Sequence, residues 1–215
     1  MQKFKAIIFD LDGTLLNTLD DLADSVNAAL SKFGHPVRTV DEIRSFVGNG
    51  VELLIRRALA PVDDPDEIEQ VYKAFSAIYS ANMKNKTAPY PGINEVLSAL
   101  KQKDVKMAVV SNKFHKAVVP LIKDYFGEYI PLAIGADENT PKKPDPTGTL
   151  KAVELMGVDK ETTVYIGDSD VDIITAKNAN LFALGCTWGF RDRELLQQSG
   201  ADMIIDSPEE MLKLF

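Results

Sequence analysis

Short apolar runs that stop at polar residues recur along this 215-residue chain: Phe4–Phe9, Lys106–Val110, Leu132–Ile134, Thr163–Ile166, Leu181–Leu184 and Met203–Ile205. They are continuous rather than alternating, the pattern of strands buried on both faces of a parallel sheet covered by helices. Between most of them apolar residues fall at helical spacing. Ile93, Val96, Leu97 and Leu100 form one stripe, and Leu150, Val153 and Leu155 a looser one. The closing element carries a capping box, Ser207 to Glu210, with Pro208 at its first helical position. The pattern predicts an α/β layered domain.

The stretch from Leu15 to Ala88 breaks this rhythm and shows no strand signal. Leu19, Leu22, Val26, Leu30 and Phe33 predict a helix stopped by Gly34 and Pro36. Val51, Leu54, Ile55, Ala58 and Leu59 predict a second. Asp64 and Pro65 open a third, with Ile68, Val71, Phe75 and Ile78 on one face. A helical block at 15–88 thus interrupts a core made of 1–14 and 89–215, with expected hinges at Thr14–Thr18 and Ala88–Gly92.

Composition narrows the function. Hydrophobic residues are 45% and charged residues 26% of the chain, an ordinary globular balance. The formal charge of −8 disfavours nucleic acid and anionic membrane as partners. Cys186 is the only cysteine, so neither an internal disulfide nor a thiolate zinc cluster can form. The first apolar run is cut by Asp10 and Asp12, too early for a signal-peptide core or a membrane span. The expectation is a cytoplasmic protein, monomer or homodimer, acting on a small molecule.

Polar chemistry collects at the ends of the apolar runs. The first ends in Asp10-Leu11-Asp12-Gly13-Thr14, which places two acids at the carboxyl edge of a sheet, where open α/β folds bind ligands. Such a pair can hold a hard cation, or one acid can attack phosphorus while the other moves protons. Taken alone, it is equally a polar strand end with a turn. The second run leads into Ser111-Asn112-Lys113, a hydroxyl and backbone N–H groups ahead of a helix, which is a phosphate seat or plain turn chemistry. Lys142-Lys143-Pro144-Asp145-Pro146 holds a cation beside two stiffening prolines; by itself it also reads as a solvated lysine pair. A later run ends in Gly167-Asp168-Ser169-Asp170-Val171-Asp172, three acids in five residues, which points to Mg²⁺. Asp168 is expected on the metal, Asp172 supporting it and Asp170 facing solvent. The shared position of these signals, in the order acid pair, hydroxyl, lysine, acids, gives the combination its weight.

On these four segments the chain resembles the haloacid-dehalogenase-like superfamily of phosphotransferases, across essentially its whole length. The resemblance implies a Rossmann-like three-layer core with a parallel sheet and an inserted α-helical cap. It implies that Asp10 is the nucleophile that becomes a phospho-aspartate, and that Asp12 protonates the leaving oxygen and then activates water. Ser111 and the Asn112 backbone would hold the phosphate and Lys143 would steady it. Mg²⁺ would be bound by Asp10, the backbone carbonyl of Asp12 and Asp168, with Asp172 close by. The acid at position 12 argues against dehalogenation, where the leaving halide needs no proton. Within the superfamily the likeness is to phosphoglycolate phosphatases, carried by Val47-Gly48-Asn49-Gly50 between cap helices and by Thr187-Trp188-Gly189-Phe190-Arg191. It implies a Mg²⁺-dependent phosphatase of a small phosphomonoester, 2-phosphoglycolate first. Asn49, Arg44 and Arg56 are candidates for the substrate's carboxylate, although a Gly-Asn-Gly turn and helix arginines need no ligand. Trp188 and Phe190 are expected to pack. A sugar-phosphate mutase, a nucleotide or pyrophosphate phosphatase, and a phospho-accepting signalling module are the alternatives. His35 and His115 match no catalytic spacing, and Cys186 is expected in the core.

Overall fold

All six apolar runs become strands of one parallel sheet in the computed structural model, which describes residues 4–215. In chain order the elements are β1 (Ala6–Phe9), β2 (Leu16–Asn17), α1 (Leu19–Lys32), α2 (Val40–Phe46), α3 (Val51–Leu59), α4 (Pro65–Asn82), β3 (Ala88–Pro89), α5 (Ile93–Gln102), β4 (Lys106–Phe114) and α6 (His115–Phe126). There follow β5 (Leu132–Ala136), α7 (Thr147–Met156), β6 (Thr163–Gly167), α8 (Asp170–Asn178), β7 (Phe182–Cys186), α9 (Arg193–Gln198) and β8 (Met203–Ile205). The chain closes in a 3₁₀ helix, Pro208–Leu214, that carries the expected capping box.

The sheet order is β5-β4-β1-β6-β7-β8. From β1 the chain builds outward to β4 and β5, then returns to build β6, β7 and β8 on the other side. That reversal places a crevice outside the carboxyl ends of β1, β4 and β6. The central strand is buried from Ala6 to Phe9, as its continuous apolar run requires. Ile8, Ala108, Val110 and Tyr165 pack with Ala152 and Val153 of α7 and Ile173 and Ala176 of α8. Alternation turns Ile7, Phe9, Val109 and Ile166 to the opposite face.

The chain divides into two compact units: residues up to Leu16 together with Pro89–Phe215, and Asn17–Ala88. The second is helical. Its α1 buries Leu19, Leu22, Val26 and Leu30 along one stripe. Thr39 and Glu42 form a capping box on α2, and the Asp64 carboxylate accepts from the N–H groups of Asp66 and Glu67 at the start of α4. His35, half-buried in this unit, has its Nε2 2.9 Å from Glu67. Asp21 of α1 is 2% exposed and accepts hydrogen bonds from Lys86 N (3.0 Å), Thr87 N (2.8 Å) and Thr87 Oγ1 (2.8 Å), tying the first helix to the segment that leaves the unit.

Four expectations need correction. The stretch read as strand-free contains β2 and β3 at its two ends, paired in a two-stranded sheet too short to show alternation. Leu155 is 59% exposed, because it lies about 200° around α7 from Val153; Thr149 and Ala152 complete the buried face instead. On α4 it is Tyr79 rather than Ile78 that is buried, stacked on Phe75 one turn earlier with ring centroids 5.4 Å apart. Finally, β4 does not stop at Val110 but continues to Phe114, so Ser111, Asn112 and Lys113 are strand residues rather than a turn. Its register against β5 shifts between Ser111 and Phe114. The partner Gly135 permits this: a Cβ there would lie 2.6 Å from the Lys113 carbonyl oxygen and from His115 Cα.

Removing the Asp21 carboxylate orphans buried backbone donors of the Lys86–Thr87 segment. Asp21→Ala is expected to destabilise the helical unit by about 3 kcal/mol, read as a lower urea midpoint in far-ultraviolet circular dichroism. A midpoint within error of the parent would show that water replaces the carboxylate without loss.

Candidate active site

The backbone at the end of β1 is held before any side chain acts. Asp10 N donates to Ile166 O of β6 at 2.9 Å, which fixes the nucleophile candidate between the two central strands. Beyond it the chain turns tightly, and the N–H groups of Thr14, Leu15 and Leu16 all donate to Leu11 O. Gly13 allows that turn, with φ +93°, and its missing side chain leaves room for the Asp168 carboxylate, which a Cβ would overlap. Gly189 does the same from the segment after β7, lying against Asp168 and the Gly13 carbonyl.

Asp10, Asp168 and Asp172 meet here, with ligand oxygens all within 4.8 Å of one another. They are 7%, 1% and 1% exposed. Lys143 completes the cluster: its Nζ lies 2.6 Å from Asp10 Oδ1 and 2.6 Å from Asp172 Oδ1, and 3.1 Å from the Tyr165 hydroxyl. Three carboxylates against one ammonium leave an excess of negative charge when all are ionised. Burial, opposed by Lys143 and reinforced by Asp172 and Asp12, raises Asp10 to about 7. Burial also raises Asp168 well above the usual carboxylate range, with the charges of Asp172 and Asp10 adding to it. The same acids hold the Lys143 ammonium firmly charged in spite of its burial.

Each partner is positioned by a separate element. Asp168 Oδ2 accepts from Phe190 N at 2.7 Å and its Oδ1 from Thr14 Oγ1 at 3.4 Å, while Trp188 Nε1 donates to Thr14 O at 3.0 Å. Thr187–Arg191 therefore does more than pack: it clamps the loop after β1 onto the end of β6. Asp172 Oδ2 accepts from Ser169 N (3.1 Å) and Ser169 Oγ (2.6 Å), the capping box of α8. With Oδ1 on Lys143, both of its oxygens are engaged. Asp170, expected in solvent, is half-buried at the first position of α8.

Asn112 braces the lysine loop from β4. Its Oδ1 accepts from Lys143 N at 2.6 Å and its Nδ2 donates to Lys143 O at 3.1 Å. Ser111, 5% exposed, accepts at Oγ from Lys113 N at 3.2 Å. Asp12 is paired with Lys113, whose Nζ lies 2.8 and 3.0 Å from its two oxygens. The structure thus brings together Asp10, Asp12, Ser111, Asn112, Lys143, Asp168 and Asp172. Arg44, Asn49 and Arg56 belong to the helical unit, where Arg44 pairs with Asp41 and Arg56 with Glu52 and Asp63. Cys186 is fully buried, as expected, and His115 Nδ1 accepts from Gly135 N.

Sequence reasoning missed Lys113, Tyr165 and the backbone of Phe190. Lys113 follows directly on the Ser-Asn pair, and Tyr165 puts a hydroxyl-bearing aromatic inside the β6 run; both signals were in the pattern. The role of Phe190 N has no sequence signal.

A carboxylate-only donor set suits a hard divalent cation, and Asp10 with Asp168 and Asp172 is the group that could hold one among the described residues. Among those residues no helix is long and apolar enough to cross a membrane.

Comparison with known proteins agrees with this geometry. Phosphoglycolate phosphatase 1 of Pseudomonas aeruginosa is 32% identical over 213 residues, covering 97% of this chain and 78% of its own length. The phosphoglycolate phosphatase of Psychrobacter arcticus is 36% identical over 201 residues, covering 89% and 87%. Among solved structures, that of CbbY from Rhodobacter sphaeroides in complex with phosphate superposes with a TM-score of 0.81 at 26% identity, covering 97% of this chain and 96% of that one. A protein from Lactobacillus delbrueckii subsp. bulgaricus superposes with a TM-score of 0.93 at 36% identity, covering 97% of both chains. The sequence profile of the haloacid dehalogenase-like hydrolases matches residues 7–186, from the central strand to the end of β7, and the chain belongs to that family.

Proposed function

We propose that this phosphoric monoester hydrolase acts on 2-phosphoglycolate, through a phospho-aspartate on Asp10 and with Mg²⁺. The observation that carries the reading is the buried convergence of Asp10, Asp168 and Asp172 at the carboxyl end of the central strand, with Lys143 paired to Asp10 and Asp172. The substrate is supported by the relatives named phosphoglycolate phosphatase, with which the chain aligns over nearly its whole length.

In this scheme the Asp10 carboxylate attacks phosphorus in line with the ester bond, forming the acyl phosphate and breaking the bond to the leaving oxygen. Asp12 gives that oxygen its proton, so glycolate leaves as an alcohol rather than an alkoxide. Asp12 then takes a proton from water, which attacks the phospho-aspartate, releases inorganic phosphate and restores Asp10. Ser111 Oγ and the Asn112 backbone hold the phosphoryl oxygens, and the Lys143 ammonium offsets their charge. Asp10, Asp168 and the Asp12 carbonyl would hold Mg²⁺, which supplies charge stabilisation and alignment of the phosphoryl group when bound. Asp172, with both oxygens engaged by Ser169 and Lys143, steadies the lysine. Burial raises the proton affinities of Asp10 and Asp168, and a bound cation would lower that cost.

Asp10→Asn is expected to lower phosphate release from 2-phosphoglycolate by roughly 10⁴-fold or more, and EDTA to abolish it in the parent until Mg²⁺ is added back. Retained turnover in either case would sink the scheme. A substrate panel scored for inorganic phosphate and for isomerised product separates it from a mutase.

The pH dependence has a definite sign. A carboxyl whose folded value lies above its unfolded one favours the fold while protonated, and that contribution is lost as pH rises from about 4 through about 7. Metal-free protein is expected to melt at a lower temperature at pH 8 than at pH 5. Mg²⁺ should raise the melting temperature more at pH 8, since at pH 5 it must displace a proton from Asp10. Calorimetry in EDTA and in Mg²⁺ at both pH values checks this, and an equal Mg²⁺ shift at the two would count against Asp10 as a ligand.

A further inference from the structure

Lys113 has no task in the scheme above, yet it is one of two ammonium groups built into the site. Its side chain is 5% exposed and its Nζ reaches both oxygens of Asp12, whereas Lys143 serves Asp10 and Asp172. The backbone that carries it is fixed by the Ser111 hydroxyl, by the register shift of β4 against β5, and by the close approach that Gly135 permits. A buried ion pair contributes little net stability, because desolvating the two charges offsets their attraction. Stability is therefore a poor reason for this lysine.

The chemistry of Asp12 supplies a better one. An acid that hands a proton to the leaving oxygen must come within about 3 Å of it. An ammonium one hydrogen bond beyond that acid then lies within about 6 Å of the same oxygen. In 2-phosphoglycolate a carboxylate hangs two bonds from the ester oxygen, so it arrives beside Asp12 and within reach of the Lys113 ammonium. A fixed cation at that spot attracts it and offsets part of the cost of taking it out of water.

We propose that Lys113 is a specificity residue: its ammonium receives a second anionic group of the substrate, a carboxylate close to the ester oxygen, while Asp12 works on that oxygen. The assignment rests on the roles given above to Asp12 and to 2-phosphoglycolate. It selects phosphomonoesters with a short anionic leaving group over neutral or cationic ones of the same size.

The test compares 2-phosphoglycolate with ethyl phosphate, which has the same length and no carboxylate. Wild-type protein should prefer 2-phosphoglycolate in kcat/KM. Lys113→Met should reduce that preference about 10- to 100-fold, with the extra loss on 2-phosphoglycolate in KM, and Lys113→Arg should keep most of it. A Lys113→Met protein that loses activity equally on both substrates overturns the assignment and leaves the phosphatase reading standing. Wild-type protein that turns over ethyl phosphate as well as 2-phosphoglycolate overturns the substrate reading, and the assignment with it. A measurement free of variants guards against misfolding: wild-type protein should hydrolyse 2-phosphoglycolate better than phosphoethanolamine, whose cation would meet Lys113. The reverse order overturns the assignment.

Discussion

Gathering three carboxylates in a buried space is the constraint around which the rest of the sheet unit is arranged. Like charges at such separations repel strongly where water is excluded, and the protein answers with one ammonium, Lys143, shared between Asp10 and Asp172. Everything nearby serves to keep that arrangement in place. Asn112 holds the lysine backbone on both sides, the capping box of α8 holds Asp172, and the Phe190 N–H holds Asp168. Glycines at 13 and 189 provide the room. The compensation is incomplete, and the residual demand for positive charge is what makes the cluster chemically useful.

The topology explains why these groups meet at all. They come from β1, β4, the loop before α7, β6 and the segment after β7, which are far apart in sequence. A parallel sheet brings every one of its strand ends to the same edge, and the reversal of strand order at β1 opens a crevice there. Two ammonium groups then divide the acids. Lys143 pairs with Asp10 and Asp172, and Lys113 with Asp12.

Much of this was legible in the residues. Continuous apolar runs identify all six strands because full burial leaves no room for alternation, and acids directly after Phe9 and Gly167 locate the sheet edge. What stayed hidden has physical causes. The extension of β4 to Phe114 depends on Gly135 of a neighbouring strand, a contact that no local pattern encodes. The two-residue strands at 16–17 and 88–89 exist only as a pair. That Asp172 also closes the capping box of α8 and pairs with Lys143 stayed hidden, because a capping box and a ligand set look alike when the residues are Ser-x-x-Asp. Leu155 fell outside the buried stripe because α7 turns its narrow face inward, with Thr149 and Ala152 doing what larger side chains do elsewhere.

Tyr165 joins two parts of the molecule that are usually described separately. Its ring lies in the fully buried layer with Ile8, Ala108 and Ile173, while its hydroxyl donates to Val110 O and meets the Lys143 ammonium. The oily interior of one sheet face therefore ends in a polar tip that touches the Lys143 ammonium. Interior substitutions on that face and changes of reactivity are not independent: any repacking that shifts the ring by a few tenths of an ångström moves a ligand of the ammonium. In this fold, drift in the core is heard at the chemistry.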